Sequence, residues 1–250
     1  MPCAIIAPYL ATYQGVFMQI IHLDNSPELQ SAKNAMFRSL VTLLICYFLS
    51  VVPLVGIIAS VVMLGAMVWY LVGVYKFSKL SNSSVFQSHI FMILLTLGLG
   101  LMLAVMIIIA AQRETGNFGF FIGAVGLVYL IDIPLMLWLF WRVCTEFSAR
   151  TNLKQFILAF KFYVGSFALV VIAFAVVFMA IDLSVFTEAL AQNKYPNIEA
   201  LMIAPSLFSV SLLIFALAFV ATILSFVFYL LGIAKITEVS VREPSLSPAN

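Results

Sequence analysis

The sequence is poor in charge. Only 9% of its 250 residues are Asp, Glu, Lys or Arg, whereas 64% are hydrophobic. A soluble domain carries about 25% charged residues, so this chain cannot cover itself with a polar surface. The proportions predict an all-α integral membrane protein that lies in the lipid bilayer. They exclude a cytosolic enzyme, a nucleic-acid-binding protein and a disulfide-stapled secreted domain.

The sequence also lacks the motifs of catalysis and metal binding. Its three cysteines, Cys3, Cys46 and Cys144, form no CxxC pair and no metal-ligand pattern. There is no HExxH, no P-loop, no paired acidic motif and no GxSxG on a span. We therefore expect no enzymatic activity, no cofactor and no metal site.

Long uncharged runs take up most of the chain. A helix crosses the ~30 Å hydrocarbon core with about 20 apolar residues. No charge lies between Arg38 and Lys76, and Pro53-Leu54-Val55-Gly56 supplies turn residues midway. We predict a membrane domain over residues 26–240 with six spans, at about 37–53, 57–75, 90–111, 119–141, 161–181 and 210–233.

The basic residues predict the orientation of these spans. If the N-terminus is inside, 10 of the 12 basic residues lie on inner segments, and only Arg113 and Lys194 lie outside. The three tryptophans, Trp69, Trp138 and Trp141, then fall at inner helix ends, where an interfacial belt is expected. Both signals predict a multi-pass protein of the cell (inner) membrane with cytoplasmic N- and C-termini.

The two ends of the chain are predicted separately. Residues 1–25 are read as an amphipathic helix because its polar residues share one face: Thr12, Gly15, Gln19 and His22. This helix either lies on the inner leaflet or forms a seventh span with the N-terminus outside. Ser26 is the expected N-cap of the next helix, with Pro27 at its first position. The tail, residues 241–250, is predicted to be disordered and cytoplasmic.

Two segments of the sequence resemble each other. Tyr70 to Ser81 aligns with Tyr229 to Ser240, with identical Tyr, Leu, Gly, Lys and Ser positions. A fainter echo, Thr-Glu-Phe-Ser, occurs at residues 145–148. We interpret the pattern as three helical hairpins in parallel orientation. Such repeats occur in transporters, where sites form between the repeats. They also arise from duplication of a stable hairpin, and a match this short also arises by chance.

The segment from Tyr70 to Phe86 resembles a family of small multi-span prokaryotic membrane proteins of uncharacterised function. The shared pattern is an apolar helix ending in Leu-x-Gly, then Lys-x-Ser-Lys-Leu-Ser, then a Phe that opens the next helix. The resemblance covers under a tenth of the chain. It implies a membrane-spanning fold and no particular activity.

Asp132 is the candidate site residue because it falls near the middle of the fourth span. A charge at that depth costs from about 3 to more than 10 kcal/mol. Pro134 cannot donate to the carbonyl of Leu130, and Tyr129 shares the face of Asp132, so a carboxyl, a carbonyl and a phenol are expected to meet. Ion- and proton-coupled sites use such groups. The alternative is a neutral Asp132 that hydrogen-bonds a neighbouring helix and fixes packing.

Glycines on the same span predict a packing surface. Gly119, Gly123 and Gly126 form a GxxxG face, and Gly98 and Gly100 on the third span are candidates for its counterpart. The partner helix lies either in this chain, in a second copy or in another membrane protein.

The chain contains two histidines, His22 and His89. Both are expected to be polar residues at the inner interface, and a bis-histidine haem is the less favoured alternative.

Two functions follow from these features. The first is a non-catalytic accessory or assembly subunit that packs against other membrane proteins. The second is a small-solute or ion/proton-coupled transporter or channel with a midplane site at Asp132.

Overall fold

A computed structural model describes residues 20–50, 52–112, 118–180 and 204–242. These residues form six helices and two short strands. The helices are α1 (Pro27–Leu49), α2 (Pro53–Ser81), α3 (Val85–Gln112), α4 (Phe118–Thr151), α5 (Gln155–Ala180) and α6 (Pro205–Ala234). The strands are β1 (Ile20–Asp24) and β2 (Glu238–Arg242).

Five helices, α1, α2, α3, α5 and α6, are long and apolar enough to cross a membrane. The prediction of a helical membrane protein is therefore confirmed at this level. The span predicted within α4 stays a prediction, although α4 is 34 residues long, or about 51 Å.

The start of α1 agrees with its predicted cap. The hydroxyl of Ser26 accepts a hydrogen bond from the Leu29 N–H at 3.1 Å, and Pro27 occupies the first turn. The cap satisfies one of the N–H groups that a helix start leaves unpaired. The helix then runs without interruption to Leu49, as expected for one that continues into the first span.

The sequence predicted the turn between the first two spans at Pro53-Leu54-Val55-Gly56. In the structure, the connection between α1 and α2 lies before Pro53. Pro53 is instead the first residue of α2. A proline fits that position because its N–H would have no partner in the helix.

Left-handed asparagines lie two or three residues before α1, α3 and α5. Asn25, Asn82 and Asn152 have φ angles of 38°, 46° and 53°. Asparagine adopts this conformation more readily than most residues because its short side chain can bond locally. At α3 the start is also capped from outside, since Glu146 accepts hydrogen bonds from the N–H and hydroxyl of Ser84, at 2.7 and 2.8 Å.

The strands correct both predicted ends of the chain. β1 pairs antiparallel with β2, from Ile20 opposite Arg242 to Asp24 opposite Glu238. Residues 20–24 are therefore not helical, and residues 241–242 are not disordered. Backbone pairing with a distant segment replaces the local hydrogen bonds of a helix here. The rest of the predicted N-terminal helix and tail lies outside the described residues.

The chain divides into two compact units. The first contains residues 1–91, 141–157 and 229–250, and the second contains residues 92–140 and 158–228. In the first unit, α1 packs against α2, and buried aromatic side chains fill the core. In the second unit, α5 and α6 pack against each other. The Ser225 hydroxyl there donates to the carbonyl of Ala159 at 2.7 Å, and the rings of Phe162 and Phe228 stack at 5.2 Å.

Candidate functional site

Asp132 lies on α4 in the second unit. Its Oδ1 atom is buried and has no hydrogen-bond partner among the residues that the structure describes. The residue as a whole is half-buried. Removing a carboxylate oxygen from water without giving it a hydrogen-bond partner costs free energy. The burial of this atom therefore needs an explanation.

The phenol of Tyr163 on α5 lies near enough to Asp132 to interact with it electrostatically. The Tyr163 ring packs edge-on against Phe140, with centroids 4.9 Å apart. One turn along α5, the buried Ser166 hydroxyl donates back to the carbonyl of Tyr163 at 2.8 Å, which leaves that hydroxyl directed at its own helix. The part of α5 around Tyr163 is thus aromatic and weakly polar.

The rest of the predicted site is only partly visible. Pro134 lies inside α4, which continues past it to Thr151. The side chain of Tyr129 lies outside the described residues, so the expected meeting of carboxyl, carbonyl and phenol stays a prediction. Tyr163, which sequence reasoning did not single out, is the phenol that the structure brings toward Asp132.

The predicted packing glycines give a mixed result. Gly119, Gly123 and Gly126 lie on α4, but their surroundings are outside the described part of the chain. A Cβ atom added to Gly98 or Gly100 would meet no atom within 4 Å. The close helix approach expected at these two glycines is therefore absent from the described structure.

Close packing occurs instead at two glycines of the repeat. A Cβ on Gly73 would lie 2.8 Å from the backbone nitrogen of Met36 on α1. A Cβ on Gly232 would lie 2.8 Å from Cζ of Phe156 on α5. Gly73 and Gly232 align in the repeat, so their shared identity was the signal that could have found them.

A chain of buried hydrogen bonds crosses the core of the first unit. The Tyr70 hydroxyl lies 2.8 Å from Nε2 of His89 and 2.9 Å from the Tyr229 hydroxyl. His89 Nδ1 lies 2.8 Å from the carbonyl of Val85. These side chains come from α2, α3 and α6, and each is at most 8% exposed.

The carbonyl of Val85 sets the donor-to-acceptor direction of this chain of hydrogen bonds. A carbonyl only accepts, so Nδ1 of His89 carries a proton and donates it. In neutral His89 the other nitrogen, Nε2, then accepts from the Tyr70 hydroxyl, which in turn can accept from Tyr229. Both ring nitrogens of His89 have protein partners, which leaves neither for a haem iron.

His89 is thus a buried structural residue, and its predicted depth at the inner interface stays a prediction. The local sequence carried no signal for its burial, because its side-chain hydrogen-bond partner, Tyr70, lies 19 residues away. Tyr70 and Tyr229, however, are the first aligned pair of the repeat. His22 lies on β1, where its backbone pairs with Ser240.

Aromatic rings enclose this chain of hydrogen bonds. The ring of Phe147 on α4 contacts Phe77 and Phe156 at 4.8 Å and Tyr229 at 6.0 Å, measured between centroids. The fully buried Cys144 lies one turn before Phe147. The arrangement holds α2, α3, α4, α5 and α6 together through packing and a few directed hydrogen bonds.

No cluster of three or more potential metal ligands occurs within the described ranges. No protein-family model, curated protein or solved structure matches this chain.

Proposed function

We propose that this chain is a non-catalytic polytopic protein of the cell (inner) membrane, an accessory or assembly subunit that packs against other membrane proteins. The observation that carries the proposal is the surface of α3. From Ile90 to Met106, no residue with a described side chain is buried inside the chain. At 1.5 Å per residue, this is about 25 Å of helix, most of the thickness of a bilayer core.

Gly98 and Gly100 favour a protein neighbour over lipid alone on this surface. Each glycine in a helix costs about 1 kcal/mol relative to alanine. Neither approaches another part of the described chain, so neither offsets this cost by internal packing. Small residues in membrane helices allow two backbones to approach closely, which is how one helix binds another in lipid.

The strand pair supports six spans with both ends on one side. Because β1 and β2 are hydrogen-bonded, Asp24 and Glu238 lie on the same side of any membrane that the helices cross. An even number of crossings must then separate them. Five qualifying helices need a sixth, and α4 is the remaining helix within the described residues.

Three features support the hairpin repeat. Left-handed asparagines precede α1, α3 and α5, which are the first helices of the three proposed hairpins. Gly73 packs on α1 as Gly232 packs on α5. The repeat-related Tyr70 and Tyr229 bond to each other.

Native mass spectrometry of the tagged full chain, extracted in mild detergent from its own membrane, tests the accessory function. We expect a stoichiometric second protein in complex with the wild type. Gly98→Leu/Gly100→Leu should remove it. The two glycines lie about 200° apart around α3, so a leucine at each blocks close approach of a partner helix from either side. Gly123→Leu tests the face predicted on α4 in the same way.

Gly65→Leu is the matched control. Gly65 is as open as Gly98, but it lies on α2, whose other face is already buried at Ala59 and Ala66. This variant should keep the partner. A wild-type protein that is always alone or self-associated would contradict the accessory function, as would a partner that all glycine variants retain.

The unpartnered Oδ1 of Asp132 favours a second candidate, a small transporter or channel with its midplane site at this residue. A transported cation or proton would supply the missing partner for that oxygen. Purified wild-type protein in liposomes should then carry protons, a cation or a small solute, and Asp132→Asn should abolish the flux or its pH dependence.

Glu238→Gln is the control for that experiment, since it removes an exposed carboxylate on β2. Its flux should equal that of the wild type. Liposomes that stay impermeable to protons, cations and a solute panel would exclude this second candidate. Under the accessory function, Asp132→Asn leaves the complex intact.

A further inference from the structure

A cavity of about 660 Å³ opens between the start of α1 and the end of α2, within the first unit. Its lining residues are Pro27, Glu28, Ser31, Lys76, Lys79 and Leu80. Two lysines against one glutamate give the lining a net charge of +1. The function proposed above makes no use of this cavity.

The hydrogen bond between Lys76 and Ser31 orients donors in the cavity. The Lys76 ammonium donates to the Ser31 hydroxyl oxygen at 3.1 Å. Because that oxygen is the acceptor, the Ser31 O–H remains available to donate, as do the other two protons of the ammonium. Three such donors match the oxygens of one phosphate group.

Lys79 adds a second positive charge one turn further along α2. Its ammonium has no hydrogen-bond partner in the described ranges, unlike that of Lys76. The first turn of α1, at Pro27 and Glu28, forms the opposite wall. The positive end of the α1 dipole therefore also favours an anion in the cavity.

Exposed aromatic residues place the cavity at the level of lipid headgroups. Trp69 on α2 is 45% exposed, and Tyr75 is 51% exposed. Such side chains lie at the boundary between hydrocarbon and water. Lys76 is seven residues after Trp69, or about 10 Å further along the helix, in the direction of the α2 end.

We propose that this cavity binds a phosphate group, and that the headgroup of an anionic phospholipid supplies it. Lys76 and the Ser31 hydroxyl hold the phosphate oxygens, and Lys79 neutralises its charge. Leu80 and Pro27 give the cavity apolar walls for the glycerol end of the lipid. A basic pocket at helix ends, on the side where the lysines collect, is suited to such a headgroup.

Native mass spectrometry of the full chain with added phosphatidylglycerol tests this site. We expect one lipid to bind tightly and phosphatidylcholine to bind weakly. Each lysine near an anionic surface contributes about fivefold in affinity, so Lys76→Gln/Lys79→Gln should weaken binding by about 25-fold. Ser31→Ala should weaken it by a few fold, and Glu28→Gln should strengthen it.

Lys235→Gln is the matched control. Lys235 aligns with Lys76 in the repeat and is exposed, but it does not line the cavity. Its loss should change binding less than twofold. If the double variant fails to fold, Lys79→Gln alone, which removes no hydrogen bond from the described structure, should still weaken binding by about fivefold.

Two results would overturn the proposal. An equal loss of affinity in Lys235→Gln would mean that the lipid responds to the whole basic surface and not to this cavity. Inorganic phosphate or glycerol 3-phosphate that binds as tightly as phosphatidylglycerol would mean that a free anion, not a lipid, is the ligand.

Discussion

At Gly73, α2 lies close to the backbone of α1. An added Cβ would lie 2.8 Å from the backbone nitrogen of Met36, and backbone cannot move aside as a flexible side chain can. The cost of a larger residue at this position is therefore steric strain between α1 and α2.

We predict that Gly73→Ala lowers the free energy of unfolding by about 1–3 kcal/mol, the usual effect of overpacking. Gly65→Ala is the control, because a Cβ there meets nothing within 4 Å. It should be neutral or raise stability by up to about 1 kcal/mol. Reversible unfolding in mixed micelles measures both, and equal values for the two variants would contradict the packing role of Gly73.

The Tyr70 hydroxyl is the central link of the buried hydrogen-bond chain. Without it, Nε2 of His89 loses its donor in a site that water does not reach. Tyr229 is at the end of the chain, and its removal leaves the bond between Tyr70 and His89 in place.

We predict that Tyr70→Phe lowers the free energy of unfolding by about 1–3 kcal/mol, and Tyr229→Phe by about 0.5–1.5 kcal/mol. Tyr75→Phe, at a side chain that is 51% exposed, should change it by less than about 0.5 kcal/mol. The same unfolding assay ranks the three variants. A smaller effect for Tyr70→Phe than for Tyr229→Phe would contradict the direction assigned to the chain.

At the scale of elements, the connection from α2 to α3 depends on a left-handed residue. Asn82 has φ 46°, and its N–H donates to the carbonyl of Ser78, which closes the last turn of α2. Its carbonyl also accepts from Arg150 on α4 at 3.0 Å. This backbone conformation positions the start of α3.

We predict that Asn82→Gly preserves stability, because glycine adopts positive φ at no steric cost. Asn82→Val should lower the free energy of unfolding by about 1–2 kcal/mol, since a branched side chain collides with the backbone there. Both variants keep the carbonyl that Arg150 contacts. Thermal unfolding in detergent measures the difference, and equal melting temperatures would contradict it.

The strand pair is the element that sequence reasoning missed. Glu238-Val-Ser-Val-Arg242 alternates polar and apolar residues, which is the period of a strand. From the sequence alone, residues 238–240 are assigned to the end of the membrane domain and residues 241–242 to the tail. At the N-terminal end of the chain, Gln19 and His22 fit the polar face of a helix. For His22, only the pairing of β1 with β2 decides for a strand over a helix.

For the whole molecule, the strand pair also bears on the seventh span. With residues 20–24 in β1, only 17 residues, 3–19, remain of the apolar segment. That is the lower limit of what crosses a bilayer as a helix. A seventh span at residues 3–19 and a segment on the inner leaflet therefore both stay predictions.

Single cysteines introduced into a cysteine-free variant test the predicted orientation of the spans. Asn152→Cys should react with an impermeant maleimide only from the cytoplasmic side, because six spans place the connection before α5 inside. Arg113→Cys and Lys194→Cys should react only from outside. Labelling of Asn152→Cys in intact cells would contradict the six-span orientation.

Much of this protein follows from local chemistry. Charge scarcity and long apolar runs predict a helical membrane protein, since a helix in lipid satisfies its backbone groups within its own segment. Ser26 with Pro27 starts α1 where expected. Only the tertiary structure decided three other features: the buried position of His89, the Gly73 contact and the strand pair. Each joins residues far apart in the chain, and a local pattern carries no information about which distant partner is within reach.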